Sequence, residues 1–301
     1  MADSFVICGP TASGKSDAAI EIAKRLRGFV ISVDSRQVYK GLDIGSGKIA
    51  GDFVPADKDI PFDHYLSEGV VHFGLDCFEV TERVTVIRFL DYLKPLLSWL
   101  NSIRAVKILC GGSGFWLDVV SERIKLPSTS YNPGLRDQLN KLEAVELFQE
   151  LLRIDPLLAN KIDRNNKHRL IRAVEISTEF GRRPMIEHGN NNYLWFGINP
   201  GKDKLRKLIN WRLRSRLAQG LIEEVKTLIE NGISIDRLKD LGLEYSLSTS
   251  FLLGELTFEE YKTRLERDIF RFAKRQLTWF KRHKDITWFE SASDLLEHFR
   301  I

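Results

Sequence analysis

The sequence is poor in cysteine and has no long apolar run. Its 301 residues include three cysteines, Cys8, Cys77 and Cys110, which stand far apart and form no CxxC pair. We therefore expect neither a disulfide framework nor a zinc site, and a reducing compartment suits the chain. No apolar stretch approaches the roughly 18–20 residues that cross a bilayer, and the first residues do not resemble a secretory signal peptide. These absences predict a cytoplasmic protein without a membrane anchor.

An overall excess of one charge sign is also lacking, since the formal net charge is +4 at pH 7. Basic residues are nevertheless concentrated in two segments: 161–172 holds five Lys/Arg against one acid, and 262–284 holds nine against two. Either segment alone is typical of a solvated helix face. Together they favour a polyanionic partner.

Strand-like and helical patterns alternate at the start of the chain. Residues 5–8 and 29–33 have the composition of buried strands, and residues 15–27 between them carry apolar side chains at helical spacing. A strand, a loop, a helix and a second strand in this order open a parallel sheet. Further buried strands are expected at 105–110 and 193–198.

About 80 residues with little strand character separate these last two strands. The segment 127–133 has the prolines of a linker, the residues after it are helical and charged, and 181–184 contains a glycine and a proline that end the pattern. The sequence therefore predicts a core formed by 1–126 and 188–301, with a small all-helical insertion domain at 127–187.

The loop after the first strand matches the phosphate-binding pattern GxxxxGK[ST] and precedes a helix, as that motif requires. Its residues are Gly9, Pro10, Thr11, Ala12, Ser13, Gly14, Lys15 and Ser16. Backbone N–H groups and the helix N-terminus favour phosphate oxygens, Lys15 is expected to bridge phosphates, and Ser16 to hold Mg²⁺. The predicted fold class is α/β, a P-loop NTPase-like parallel sheet with flanking helices. The loop itself does not distinguish a diphosphate from ATP.

Asp34 follows the second strand directly. Ligands of parallel sheets bind at the carboxyl ends of the strands, so Asp34 is expected beside the phosphate loop. There it can act as a base or hold Mg²⁺ through water. A turn or helix-cap aspartate is the structural alternative.

Six segments in order along the chain resemble the tRNA dimethylallyltransferase family, also called tRNA isopentenyltransferases. They are GPTASGKS at 9–16, ISVDSRQVYKGLDIGSGK at 31–48, GGSGFW at 111–116, NKHRLIRAVE at 166–175, Arg212 with GLIEEV at 220–225, and FAKRQLTW at 272–279. No single segment would be specific, but six in family order are.

The resemblance implies transfer of a dimethylallyl group from dimethylallyl diphosphate to N6 of the adenosine immediately 3′ of the anticodon in tRNA. It assigns the base to Asp34 and leaving-group stabilisation to Thr11, Arg212 and Lys15, with Mg²⁺ at Ser16. The expected protein is a monomer that binds the anticodon stem-loop.

The same resemblance implies a set of RNA contacts. They are Asp34, Ser35, Arg36, Gln37, Ser113, Asn165, Asn166, Lys167, His168, Arg169, Gly242, Leu243, Glu244, Tyr245, Ser246 and Leu247. Arg169 and Arg172 are three apart on a predicted helix and are expected to contact phosphates together. Trp195, Trp211, Trp279 and Trp288 are expected in the core.

Two alternatives stay open at this point. A small-molecule P-loop kinase also has an acid after its second strand and would bind ATP, although it needs neither the insertion nor the basic C-terminal helices. A P-loop RNA-binding protein without catalysis is the second alternative, and it leaves Asp34 and Arg212 without a purpose.

Overall fold

The computed structural model describes residues 4–126, 132–180, 187–188 and 193–299. The chain divides into two compact units, one comprising Met1–Arg123 with Asn190–Ile301 and the other Ile124–Gly189. Within the described ranges, no helix combines the length and the apolar character that crossing a membrane demands.

The larger unit is built on a sheet that is mainly parallel. In the described residues the strands are β1 (Ser4–Cys8), β2 (Phe29–Ser32), β3 (Asp52–Val54), β4 (His64–Ser67), β5 (Val70–Phe73), β6 (Lys107–Gly111), β7 (Ile124–Lys125), β8 (Glu187–His188), β9 (Leu194–Ile198) and β10 (Thr287–Phe289). Eight of these strands form the sheet, in the order β10-β9-β1-β6-β2-β5-β4-β3. The pairs from β10 to β5 are parallel, which agrees with the predicted fold class.

The other edge of the sheet was not predicted from the sequence. β3, β4 and β5 pair antiparallel there. They have only three or four residues each, and exposed positions such as Phe53 interrupt the pattern of a buried strand. Short strands at a sheet edge are specified by pairing rather than by a local apolar run.

Helices cover the sheet and continue beyond it. In the described residues they are α1 (Lys15–Leu26), α2 (Val86–Ser102), α3 (Gly114–Val120), α4 (Pro133–Lys141), α5 (Ala144–Ile154), α6 (Pro156–Ala159), α7 (Lys167–Phe180), α8 (Lys202–Ala218), α9 (Leu221–Glu230), α10 (Ile235–Asp240), α11 (Leu243–Leu252), α12 (Phe258–Phe280) and α13 (Ala292–His298). All except α4 to α7 belong to the larger unit.

The two faces of the sheet pack into separate apolar clusters. Along β1, Val6 belongs to one cluster and Ile7 to the other, because successive side chains of a strand point to opposite faces. Phe89 of α2 packs on the first face and Ile22 of α1 on the second. A third cluster joins α8 to α12 through residues such as Leu213 and Leu265. The phosphate loop is thus held between α1 and these later helices.

The smaller unit has an apolar core of its own. Leu147 and Leu151 of α5 pack there with Leu170 and Val174 of α7, at the spacing that places residues on one helix face. A short antiparallel ladder between β7 and β8 accompanies the helices. The unit spans Ile124–Gly189, whereas the sequence predicted an insertion at 127–187. Most of the expected linker at 127–133 and the helix end at 181–184 lie outside the described residues.

Candidate active site

The phosphate loop needs its two glycines for different reasons. Gly9 has φ 153° and a β-carbon there would lie 2.7 Å from the Ile198 carbonyl oxygen of β9, so no side chain fits. Gly14 has φ 84° at the N-cap of α1, a left-handed conformation that disfavours other residues. Lys15 Nζ donates to the Pro10 carbonyl at 3.3 Å. The lysine is therefore folded back across the loop, where phosphate oxygens would compete for it.

A glutamine of α12 fixes the middle of the loop. Gln276 Oε1 accepts from the Thr11 N–H at 2.8 Å, and its Nε2 donates to the Gly112 carbonyl at 2.9 Å. Three residues further along α12, Trp279 Nε1 donates to the fully buried Asp118 at 2.8 Å. One buried amide thus ties the phosphate loop to the turn after β6, and the tryptophan holds the helix that carries it.

Arg212 of α8 reaches the same part of the loop. Its Nη1 donates to Thr11 Oγ1 at 3.2 Å and its Nη2 to the Gly47 carbonyl at 3.4 Å. A β-carbon at Gly47 would lie 1.9 Å from that Nη2, so the guanidinium can approach only because residue 47 is glycine. Because Thr11 Oγ1 accepts from Arg212, its own proton remains available for a ligand.

The loop that contains Gly47 is held by a carboxylate of α9. Glu224 accepts from the backbone N–H groups of Asp43, Ile44 and Gly45 at 3.0, 2.6 and 3.0 Å. Tyr245 donates to Glu224 at 3.0 Å and accepts from the Ser46 N–H. Tyr245 is only 1% exposed. Its ring therefore supports this loop from within the protein, and it offers RNA little surface.

The side chain of Asp34 closes the turn in which this residue lies. Its Oδ1 accepts from the backbone N–H of Arg36 at 2.9 Å and, less closely, from that of Gln37 at 3.5 Å. The structural alternative for Asp34, a turn aspartate, is thus correct for Oδ1. The functional hypothesis concerns Oδ2, because the carboxylate also lines a cavity.

One cavity of about 540 Å³ brings most of the candidate residues together. Thr11, Lys15, Ser16, Asp34 and Arg212 line it. The candidate RNA contacts of the larger unit line it as well: Ser35, Arg36, Gln37, Ser113 and the segment 242–247. The remaining candidates, 165–169, belong to the smaller unit, where Arg169 is exposed on α7.

A second cavity of about 960 Å³ adjoins the other side of the loop. Ala12, Ser13 and Gly14 line it, while Lys15 and Arg212 line both cavities. The expected core position of Trp211 is wrong: the side chain is 70% exposed at this second cavity. Apolar character placed it in the core, but its helix turns that position away from α12. Trp195 is buried, as expected, and Trp279 and Trp288 are partly buried against the core.

The charges of the site are predominantly positive. Burial lowers the pKa of Lys15 and of Arg36. Burial, followed by the charge of Arg216, lowers the pKa of Arg212 to about 10, so it stays protonated at neutral pH. Burial also raises the pKa of the Cys110 thiol to about 11, which argues against a thiolate nucleophile here.

Two residues of the site were not assigned from the sequence. Gln276 stood inside a segment that resembles the family, but nothing local indicated that it reaches Thr11. Arg216 follows Arg212 by one helical turn, and that spacing was the only available signal. Both line the 540 Å³ cavity.

A phosphate loop, a carboxylate and several cations around one cavity at the ends of parallel strands define an α/β P-loop protein with a site suited to a phosphorylated ligand. The family model described as IPP transferase matches residues 37–283. The chain is 39% identical to a tRNA dimethylallyltransferase of Syntrophus aciditrophicus, over 96% of this chain and 94% of that protein. It therefore belongs to the IPP transferase family, as the resemblance indicated, and its relatives are tRNA-modifying prenyltransferases.

Solved structures agree. The tRNA isopentenylpyrophosphate transferase of Bacillus halodurans is 33% identical with a TM-score of 0.67, over 96% of this chain and 90% of that chain. A eukaryotic dimethylallyltransferase acting on tRNA matches with a TM-score of 0.77, over 98% of this chain and 75% of that chain. At 21% identity, this second likeness supports the fold only.

Proposed function

We propose that this protein is a tRNA dimethylallyltransferase that moves the dimethylallyl group of dimethylallyl diphosphate to N6 of the adenosine immediately 3′ of the anticodon. Diphosphate is the second product. The observation that carries the proposal is that Asp34, Lys15 and the Thr11–Arg212 pair line one cavity. This arrangement provides a base and an anion site in the same enclosed space.

The diphosphate is assigned to the phosphate loop. Negative charge grows on it as the C1–O bond breaks, and preorganised donors stabilise that charge most in the transition state. Lys15 supplies one cation. The Thr11 hydroxyl, oriented by Arg212, donates to the leaving oxygen. Gln276 holds the Thr11 backbone in place for that contact.

Asp34 is assigned as the base. The exocyclic amine of adenine is a poor nucleophile, so a group must take its proton as the N6–C1 bond forms. Asp34 Oδ1 closes the turn, and Oδ2 is the oxygen to which we assign the proton. The adenine reaches this cavity after leaving its stack, which costs less in an anticodon loop than in a duplex.

Mg²⁺ is the proposed cofactor. In the described residues there is no group of three or more His, Cys, Asp or Glu that could hold a metal ion, but Mg²⁺ commonly binds through few protein oxygens together with phosphates and waters. The Ser16 hydroxyl and the Asp34 carboxylate line the same cavity and are of that oxygen type. When bound, the ion would supply further positive charge to the diphosphate.

The RNA partner is proposed to be the anticodon stem-loop of tRNA, bound by a monomer in the cytoplasm. Support comes from the candidate contacts around the cavity and from exposed cations of the smaller unit, such as Arg164 and Arg169.

The direct test is incubation with dimethylallyl diphosphate labelled in the prenyl group and with bulk tRNA, followed by nuclease digestion. We expect the label on N6-modified adenosine, with release of one diphosphate per transfer. Wild-type protein that leaves the RNA unlabelled would overturn the proposal. Release of ADP coupled to product formation with ATP would instead support a kinase.

A further inference from the structure

Arg216 is a charged side chain withdrawn from solvent that the reaction described above does not use. It lies one turn after Arg212 on α8, and its side chain is 8% exposed. It lines both the 540 Å³ and the 960 Å³ cavity, as Lys15 and Arg212 do. A cation with so little access to water needs a compensating anion.

The two guanidinium groups of α8 converge on one point. A β-carbon at Gly47 would lie 1.9 Å from Nη2 of Arg212 and 1.9 Å from Nη2 of Arg216. Two like charges held this close in a partly enclosed site repel each other strongly. The charge of Arg216 lowers the pKa of Arg212, as expected from repulsion between two cations. An anion between the two Nη2 atoms would remove the conflict.

The carboxylates nearby do not balance these charges. Arg216 Nη1 pairs with Glu244 at 3.1 Å, whereas Arg212 contacts the neutral oxygens of Thr11 and Gly47. Asp34 also lines the 540 Å³ cavity, but the structure gives its Oδ1 to the backbone of its own turn rather than to an arginine side chain. Two further acids of that cavity pair with arginines outside its lining. These pairs are Asp240 with Arg83, and Asp268 with Arg267 and Arg271.

We infer that Arg216 is a second guanidinium for the leaving diphosphate, which spans Arg212 and Arg216 above Gly47. This inference rests on the proposed function. In the free protein Arg216 forms an ion pair with Glu244. The diphosphate of the donor adds a second, stronger anionic partner for Arg216. In the reaction the N6–C1 bond forms, the C1–O bond breaks with its electron pair on the diphosphate, and the N6 proton passes to Asp34. Arg216 acts on the charge left on the diphosphate.

Arg216→Met tests the inference because it keeps much of the side-chain length and removes the charge. We expect the dissociation constant for inorganic diphosphate, measured by titration calorimetry, to rise about tenfold or more, since hydrogen bonds to charged groups are worth about that factor each. We expect kcat with the prenyl donor to fall by at least the same factor. Arg216→Lys should recover part of the affinity, because it restores charge without the paired donors.

Glu244→Gln separates a ligand contact from a structural ion pair. It removes the partner of Arg216 and leaves the guanidinium in place. If Arg216 binds diphosphate, this variant should bind it as tightly as wild type or more tightly. Weaker diphosphate binding by Glu244→Gln, matching that of Arg216→Met, would overturn the inference. Because this variant retains Arg216, it can still overturn the inference if Arg216→Met does not fold.

Lys15→Ala distinguishes failure of the inference from failure of the proposed function. Weaker diphosphate binding in Lys15→Ala, with unchanged binding and kcat in Arg216→Met, would remove Arg216 from the site and leave the proposed donor site intact. Unchanged binding in both variants would overturn the donor site itself and the role of Arg216 with it.

Discussion

The cationic side chains of the two units differ in their exposure to solvent. In the larger unit, Lys15 and Arg212 are partly buried and Arg216 is buried around a small cavity. In the smaller unit, Arg169 is exposed, and the half-exposed Arg172 pairs with Glu175 at 3.2 Å. Enclosed charge is costly until a specific anion arrives, whereas exposed charge is screened by salt and suits an extended polyanion. On this basis we propose that the enclosed cations of the larger unit bind the donor and that the exposed cations of the smaller unit contact RNA.

The largest effect is expected for Asp34, the carboxylate that lines the same cavity as these enclosed cations. Asp34→Asn should lower kcat by ~10²–10⁴, the range for loss of a positioned base, and should leave tRNA affinity within a few-fold. The amide oxygen can still accept from Arg36, so the turn is preserved. Single-turnover kinetics with saturating tRNA measure this. A kcat within threefold of wild type would remove Asp34 from the chemistry.

The next effect concerns the enclosed cation of the loop. Lys15→Ala should raise the dissociation constant for inorganic diphosphate by about a hundredfold, since it removes a charged donor from a site with little water. Lys24→Ala is the matched control, because Lys24 lies on the same helix and pairs with Glu21 and Glu68 at the surface. Equal affinities in Lys15→Ala and its control would contradict the assignment.

Gln276→Met tests whether the enclosed site depends on α12. The substitution leaves the Thr11 N–H and the Gly112 carbonyl without their partner, at a cost of about 2 kcal/mol, or roughly thirtyfold. We expect that loss in kcat/KM for the donor, with the KM for tRNA unchanged. Gln149→Met, at an exposed position of α5, should change neither. A Gln276→Met variant with normal donor kinetics would show that the loop holds its shape alone.

The smallest effect is expected from the exposed set. Replacing Arg169 and Arg172 by alanine should raise the KM for tRNA about tenfold and leave the diphosphate affinity unchanged. Since Arg172 is already paired with Glu175, Arg169→Ala alone should account for most of the change. The plot of log K for a stem-loop RNA against log salt should become shallower by about one counterion per lost contact. Parallel plots with equal intercepts would identify only a solvated helix face.

The sequence predicted those parts of the site that a short contiguous segment of the chain specifies. The phosphate loop and Asp34 follow their strands directly, so strand order alone brought them together. The contacts of Gln276 and Arg216 depend on how α8 and α12 pack, which no local pattern encodes. Trp211 was placed wrongly for the same reason, since apolarity does not tell which face of a helix is covered.

The contact between Thr11 and Gln276 joins residues 265 positions apart. During translation the phosphate loop leaves the ribosome well before α12 does. The proposed donor pocket is therefore complete only after α12 has been made, because a side chain of α12 must fix the loop. A chain interrupted before α12 would carry the recognisable motif and Asp34, yet it would lack the amide that holds Thr11 in place.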